Sequence, residues 1–426
     1  MNRMNCDMKY KLITLLLAVC LFSCVKEDDI VKESDRTILV YMAAENSLSQ
    51  FALDDVEEMI TGMKEIDDSR NNLLVYLDAV LYDSDNKTKL SPAIYRFRKN
   101  KNNEVVKEMV YQYPEQDASS ITVERMSDVF KRTYTAYQAK SYGLVLWSHG
   151  EGWIPYLTSS LRSFGQDGGS TGLMMDILDL EEAIRQGTTY LAGQSRFDFI
   201  YFDACYMQSV EVAYQLRSYA NYIIGCPMET PAPGSPFDKI LPYLFTEGEA
   251  GVKGFASYYY DSYAKSYNGG VNSSNFHWTS GVSISVVRTD ALEQLAQATR
   301  QIYASYGERM QTITEADVAS VQYFDHNRRY NRVQMRIYSD LGDYARYLST
   351  DSEYSRWKEA MDAAVVFAQA TPTCYCSSAD IYGGKGDIAI QAFSGLSSYI
   401  LFEKDDKYAN WNTYYRKLDW YKQAYP

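Results

Sequence analysis

The chain has 426 residues, 46% of them hydrophobic, enough to bury a sizeable core in one large domain or in two to three modest ones. Its formal net charge is −13, with 55 acidic residues against 42 basic ones. That balance excludes a phosphate-backbone partner, which needs clustered Lys and Arg, so nucleic acid is set aside.

The first residues read as an export signal. Arg3, Lys9 and Lys11 precede the apolar run LITLLLAVCLF, which is too short and too early to be a spanning helix. The run ends in Leu21-Phe22-Ser23-Cys24, which resembles a bacterial lipobox; residues 1–23 would then be removed and Cys24 would carry the lipid. Val25-Lys26-Glu27-Asp28-Asp29 resembles the surface-export signals of Bacteroidetes lipoproteins, so residues 24–36 are expected to be a tether on the outer membrane or cell surface. The alternative is that Cys24 belongs to the apolar run and cleavage falls elsewhere. Of seven cysteines, four then remain: Cys205, Cys226, Cys374 and Cys376. Cys374 and Cys376 are too close for an ordinary disulfide and lack the further ligand pair of a zinc site, so no disulfide framework is implied.

The folded region starts with a strand, RTILVYMAAE, then a helix, ALDDVEEMITGMKEI, and a second strand, NNLLVYLDAV. AIYRFRKN and EVVKEMVYQYP form a hairpin across the turn KNKNNE, and Ser119 to Tyr137 is helical. GLVLWSHG follows as an apolar strand ending in His149, and the Ser/Gly-rich stretch from Trp153 to Leu173 is expected to be an exposed, mobile loop. Next come a helix, DILDLEEAIRQG, ended by Gly187, and the strand DFIYFDAC, ended by Cys205. The helix QSVEVAYQLRSYA begins just past that cysteine; the strand NYIIGCP, the Pro/Gly-rich loop METPAPGSPF and DKILPYLF follow. Strands apolar on both faces, alternating with helices, predict an α/β fold with a mostly parallel sheet flanked by helices on both faces, over residues 37–275. From 276 to 426 the pattern becomes α+β: the strand SGVSISVVRT, the helix LEQLAQATRQIYASYGERM, helices at DLGDYARYL and WKEAMDAAVVFAQA, and strands around DIAIQAF and GLSSYIL. This is either a C-terminal subdomain or the outer half of the same domain.

Parallel strands place their carboxyl ends at one edge of the sheet, where catalytic groups usually sit, so His149 and Cys205 can meet there. A thiol is mostly protonated at neutral pH; a nearby His and the positive end of the following helix are expected to lower the pKa of Cys205. Gly150, lacking a side chain, can turn its backbone N–H toward a reacting carbonyl and share an oxyanion hole with the N–H of Cys205. Taken singly, a cysteine or histidine at a strand end is more often structural. The pair, in this order on this background, is far less common by chance.

Leu146-Trp147-Ser148-His149-Gly150 and Phe202-Asp203-Ala204-Cys205-Tyr206-Met207, with Thr230-Pro231-Ala232-Pro233-Gly234, resemble the clostripain family of caspase-like cysteine peptidases over residues 37–245. Ser280 to Thr289, Leu341-Gly342-Asp343 and Gly395-Leu396 are similar to less specific C-terminal elements of that family. The resemblance implies His149 as general acid/base, Cys205 as nucleophile, and an Arg or Lys before the cut. Asp203 would bind that basic side chain, with Glu229 as a second acid; the structural alternative for Asp203 is a cap on the following helix. The resemblance further implies self-cleavage in the stretch 155–172, after Arg162. Calcium dependence is known for some members, but no EF-hand loop is present: Asp83-Ser84-Asp85-Asn86 lacks the required Gly and distal Glu. No other cofactor is expected, the partner is a peptide or protein with a basic residue, and the protein is expected to be a monomer.

Three other functions compete. An inactive relative on the same fold could capture peptides or glycans at the cell surface, though it would have no reason to keep both His149 and Cys205. Gly383-Gly384-Lys385-Gly386 lacks the spacing of a phosphate loop, and no GxGxxG follows the first strand. A metallopeptidase is disfavoured because His149, His277 and His326 are the only histidines and no HExxH occurs.

Overall fold

The computed structural model describes residues 34–83, 86–114, 119–154, 163–168, 173–269, 278–325, 329–330, 333–377 and 387–426. Its centre is β1 (Ser34–Ala44), whose sequence is apolar without alternation because both faces are covered. Leu39, Tyr41 and Ala43 face one core and Ile38, Val40 and Met42 the other, all with at most 1% exposure. Helix α1 (Ser49–Gly62) returns the chain to β2 (Asn71–Asp83), which pairs with β1 in parallel.

A short β3 (Asn86–Lys89) and the hairpin β4 (Ala93–Lys99) and β5 (Val105–Gln112) add antiparallel strands on the β2 side. Helix α2 (Val123–Ala136) leads to β6 (Ala139–Trp147), which pairs with β1 in parallel on its other side. After a small hairpin, β7 (Phe164–Asp167) with β8 (Leu173–Met175), helix α3 (Ile177–Thr188) leads to β9 (Phe197–Asp203). Helix α4 (Val210–Gln215) and β10 (Ala220–Gly225) complete five parallel strands in the order β10-β9-β6-β1-β2. Helices α5 (Phe237–Leu244) and α6 (Gly248–Ala264) join α1 over one face, while α2, α3 and α4 cover the other. The mostly parallel sheet flanked by helices on both faces is the architecture expected from the sequence.

The region after residue 276 extends the same sheet. β11 (Ser283–Arg288) pairs antiparallel with β10, and β12 (Val365–Ala370) antiparallel with β11. Between them lie α7 (Leu292–Tyr306), α8 (Leu341–Leu348) and α9 (Asp351–Ala364). The helix expected over WKEAMDAAVVFAQA therefore stops at Ala364, and VVFAQA is the edge strand β12. Two adjacent valines and a Phe suit a pleated edge better than a helix, and β11 offers an open edge to pair with.

Three further expectations are corrected. Gly187 does not end its helix, which runs to Thr188; it makes room for Phe130, whose ring atoms a Cβ there would meet at 2.6 Å. The stretch after His149 is not simply an exposed loop. Trp153, Ile154, Ser163 and Phe164 are fully buried, and the Trp153 ring lies 4.9 Å from Tyr399 and 5.1 Å from Tyr415. Residues 155–162 and 169–172 lie outside the described residues, as does Arg162. Finally, β6 and β9 end at Trp147 and Asp203, two residues before His149 and Cys205.

Candidate active site

The register of β6 and β9 decides where the two reactive side chains go. They pair in parallel with Trp147 opposite Asp203, and the Ser148 N–H donates to the Asp203 carbonyl at 3.4 Å. Two residues beyond that pair on each strand lie His149 and Cys205. Equal offsets on parallel neighbours end at the same sheet edge, and both residues line one cleft of about 320 Å³ there.

Cys205 is half-buried, and its Sγ accepts the Thr230 N–H at 3.3 Å. Burial, and next the negative charge of Glu229, push the thiol well above its ordinary value against the smaller pull of that N–H. Burial also pushes the imidazole of His149 down to about 4. His149 Nε2 lies 3.0 Å from Ser47 Oγ. At neutral pH the resting pair is thus a protonated thiol and a neutral imidazole. This overturns the expectation of a thiol with a lowered pKa. The following helix begins only at Val210, capped by Ser209, so its positive end is five residues from the thiol.

The chain turns sharply immediately after the thiol. Tyr206 has φ 59°, a left-handed conformation that is uncommon for a bulky side chain and persists where surrounding contacts over-determine it. Those contacts are present: its N–H donates to the Met228 carbonyl at 2.9 Å, and its ring stacks on Tyr338 with centroids 4.3 Å apart. Gly150 is required by close approach, since a Cβ there would come within 2.5 Å of the Cys205 carbonyl oxygen. Opposite Phe164 it is a non-hydrogen-bonded pair: the bonds on either side run from Gly165 N–H to His149 O at 2.9 Å and from Glu151 N–H to Ser163 O at 2.8 Å. The N–H groups of Gly150 and Cys205 meet no acceptor among the described residues.

Asp203 lines the cleft but is only 4% exposed. It accepts the Ser235 N–H at 3.0 Å, and burial raises it to about 6. It does not cap the following helix, whose cap is Ser209. The acid beside it is one that the sequence reading missed: a Cβ on Gly234 would lie 3.1 Å from Asp55 Oδ2 and 3.4 Å from Asp203 Oδ2. Asp55 accepts the Trp147 Nε1–H at 2.7 Å, and burial, then the charges of Asp203 and Glu58, hold it well above the carboxylate range. The available signal was an Asp inside the buried stripe of α1, between Ala52 and Met59. Among the described residues none of Asp55, Glu58 and Asp203 has a cationic partner, whereas Asp198 at the other end of β9 is paired with Arg36 at 2.7 Å.

Glu229 lines the Cys205 side of the cleft. It accepts the Ser377 N–H at 2.9 Å, the Ser377 hydroxyl at 2.7 Å and the Tyr206 hydroxyl at 3.1 Å. The far wall, also missed in the sequence, comes from the C-terminal region: Trp278 and Tyr375 meet edge-on at 5.4 Å, and Ser377 stands beside them. Cys24 lies outside the described residues. Among the described residues no helix is long and apolar enough to cross a membrane.

The chain is 28% identical over 242 residues to the clostripain of Hathewaya histolytica, a match that spans 51% of this chain and 43% of the clostripain. It is similar to the X-ray structure of a secreted C11 cysteine protease from Bacteroides thetaiotaomicron in complex with an irreversible peptide inhibitor, with 39% identity and TM-score 0.76 over 92% of this chain and 99% of that one. It is also similar to an inactive zymogen C11 protease from Parabacteroides distasonis, with 29% identity and TM-score 0.72 over 93% and 100% of the two chains. The profile of the clostripain family matches residues 40–425, and the chain belongs to that family of cysteine proteases.

Proposed function

We propose that the protein is an endopeptidase using His149 and Cys205 as a dyad and cutting after Arg or Lys. The observation that carries the reading is the equal two-residue offset of both side chains beyond the Trp147–Asp203 pair, which brings a thiol and an imidazole to one cleft. Because the resting thiol is protonated, the first step combines two events. His149 takes the Sγ proton as Sγ attacks the scissile carbonyl carbon. The carbonyl oxygen becomes an oxyanion between the N–H groups of Gly150 and Cys205. His149 then gives the proton to the departing amine, leaving a thioester on Cys205. Water, deprotonated by His149, hydrolyses it and restores the thiol.

Preference for a basic residue is supported by Asp203 in the cleft and Asp55 behind it, buried acids with no cationic partner among the described residues. A guanidinium or ammonium from the substrate would supply that cation, most strongly as a charge-assisted pair with Asp203. Self-cleavage after Arg162 is part of the same reading, in keeping with a similar protease described as an inactive zymogen. So is a lipid anchor at Cys24, which would hold a monomer at the outer membrane or cell surface. A fluorogenic panel with Arg, Lys, Asp and Asn before the cut tests the specificity. Hydrolysis confined to Arg and Lys is expected; hydrolysis confined to Asp or Asn would overturn the pocket assignment.

A further inference from the structure

The central sheet ends in two unlike edges. On the β2 side the last strand is β5, which carries the exposed pair Lys107 and Glu108 and a register shift against β4. Charges and irregular pairing are the usual guards that stop an edge from adding a further strand. On the other side the last strand is β12, Val365-Val366-Phe367-Ala368-Gln369-Ala370, which has neither a charge nor a proline. Its register shift falls at the first residues, and Phe367 to Ala370 pair regularly with Ser283 to Val286. The Thr371 N–H donates to the Val282 carbonyl at 3.0 Å, so the alternation of an antiparallel ladder turns the N–H and C=O groups of Ala368 and Ala370 away from β11. Those outward groups meet no backbone partner among the described residues.

A cleft of about 300 Å³ opens beside this edge. Val365 and Ala368 form one side, Tyr354 and Trp357 of α9 another, and Asp340 and Asp343 at the start of α8 a third. The cations of the cleft are engaged, Arg346 with Asp351 at 2.6 Å and Lys358 with Asp362 at 2.6 Å. Asp340 accepts the Ser394 N–H at 2.7 Å and Asp343 the Gln322 N–H at 2.7 Å, but among the described residues neither has a cationic partner. The cleft therefore keeps an excess of negative charge. The edge also leads toward the dyad. Tyr201 of β9 is level with Ile224, Val286 and Phe367 across the sheet, and the chain beyond Ala370 supplies Tyr375 and Ser377 of the catalytic cleft. Three strand spacings put β12 about 14 Å from β9, a gap that roughly four to five extended residues cross.

We propose that the free edge of β12 and its cleft form an exosite that takes an extended segment of a protein substrate as an added strand, with a Lys or Arg of that segment set against Asp340 and Asp343. Backbone pairing at Ala368 and Ala370 supplies affinity without regard to sequence, and the acidic cleft supplies the choice of side chain. That the segment belongs to a substrate rests on the peptidase reading above; the binding of an extended basic peptide does not.

The test compares, on the full-length protein, a short fluorogenic Arg substrate with a peptide of about 20 residues that has one Arg cut site and a Lys about five residues to each side of it. Ala368→Pro removes an outward N–H without breaking a bond to β11, and a proline so placed is tolerated on an edge strand. It should raise KM for the long peptide by about tenfold, with kcat and turnover of the short substrate unchanged. Ala370→Pro repeats the test at a second position, and Ala368→Ser, which keeps the N–H, should behave as wild type. Asp343→Asn should abolish the advantage of the long peptide over the same peptide with Gln in place of each Lys, a change of about threefold in KM. An unchanged KM for the long peptide in the folded proline variants would overturn the proposal. So would a dimer that the proline variants dissociate, because a second copy would then occupy the edge. A long peptide that binds by fluorescence anisotropy, loses binding in Ala368→Pro and stays uncut counts against the peptidase reading alone. A short substrate that is cut, with both peptides indifferent to the proline variants, counts against the exosite alone.

Discussion

The two sides of the cleft are built differently. The floor is made of strand ends: His149 and Cys205 each lie two residues past a hydrogen-bonded pair of parallel strands, and the backbone beneath them is fully buried. The far wall is made of side chains carried in from the C-terminal region: Trp278 and Tyr375 pack edge-on against each other, and Ser377 is joined to the Cys205 side through its bonds to Glu229. A register cannot shift by a fraction of a residue, whereas a side-chain contact can relax. Floor changes should therefore act on the chemistry in an all-or-none way, and wall changes on binding by small factors.

The largest effect is expected from Cys205→Ala, which should lower kcat/KM by about four orders of magnitude or more with an unchanged melting curve. Residual turnover within tenfold of wild type would place the nucleophile elsewhere. Trp153→Ala comes next and sharpens the comparison, because Trp153 joins the segment after His149 to Tyr399, Trp411 and Tyr415 of the C-terminal region. It should cost about 3–5 kcal/mol in denaturant unfolding. A cost below 1 kcal/mol would mean that the two regions do not depend on this packing.

Asp203→Asn should lower kcat/KM for Arg substrates by roughly 10–100-fold and leave a neutral substrate little affected. Burial holds Asp203 up to about 6, so its charge grows as pH rises through 6. Preference for Arg over a neutral residue should therefore climb between pH 5 and 7 in the wild type and stay flat in the variant. His149, pushed down to about 4, remains neutral across that range and contributes its own loss of activity only at more acidic pH. Equal pH profiles for the two substrates would remove Asp203 from recognition. The smallest effect should come from the wall: Ser377→Ala removes a hydroxyl donor from Glu229 and should raise KM by a few-fold with kcat nearly unchanged, in line with a hydrogen bond worth about 1 kcal/mol. A large fall in kcat would show that the wall acts on the chemistry too.

The same division explains what could be read from the amino-acid order. The floor was legible because apolar runs such as GLVLWSHG and DFIYFDAC announce buried parallel strands, and strands of that kind put their ends at a common edge. Asp55 was hidden because an acid in a helix is ordinarily read as solvent-facing, and only the covering of α1 by α5 makes it internal. Trp278, Tyr375 and Ser377 were hidden for another reason: they approach Cys205 only after β11 and β12 have docked on the sheet edge, a long-range pairing that leaves no local pattern. The state of the thiol was misread because the burial of Cys205 and the nearby charge of Glu229 leave no trace in the residue order, and because a helix start was placed beside Cys205, where the chain instead makes the left-handed turn at Tyr206 before α4 begins.

The reading of the floor is most directly tested by covalent labelling. Wild-type protein and a His149→Ala variant would be treated with an acyloxymethyl ketone bearing Arg, and the adducts mapped by mass spectrometry. We expect one adduct, on Cys205, in the wild type and its loss in the variant. An unmodified Cys205 in folded wild-type protein, under conditions that label a clostripain, would contradict the pairing of these two strand ends as a catalytic dyad.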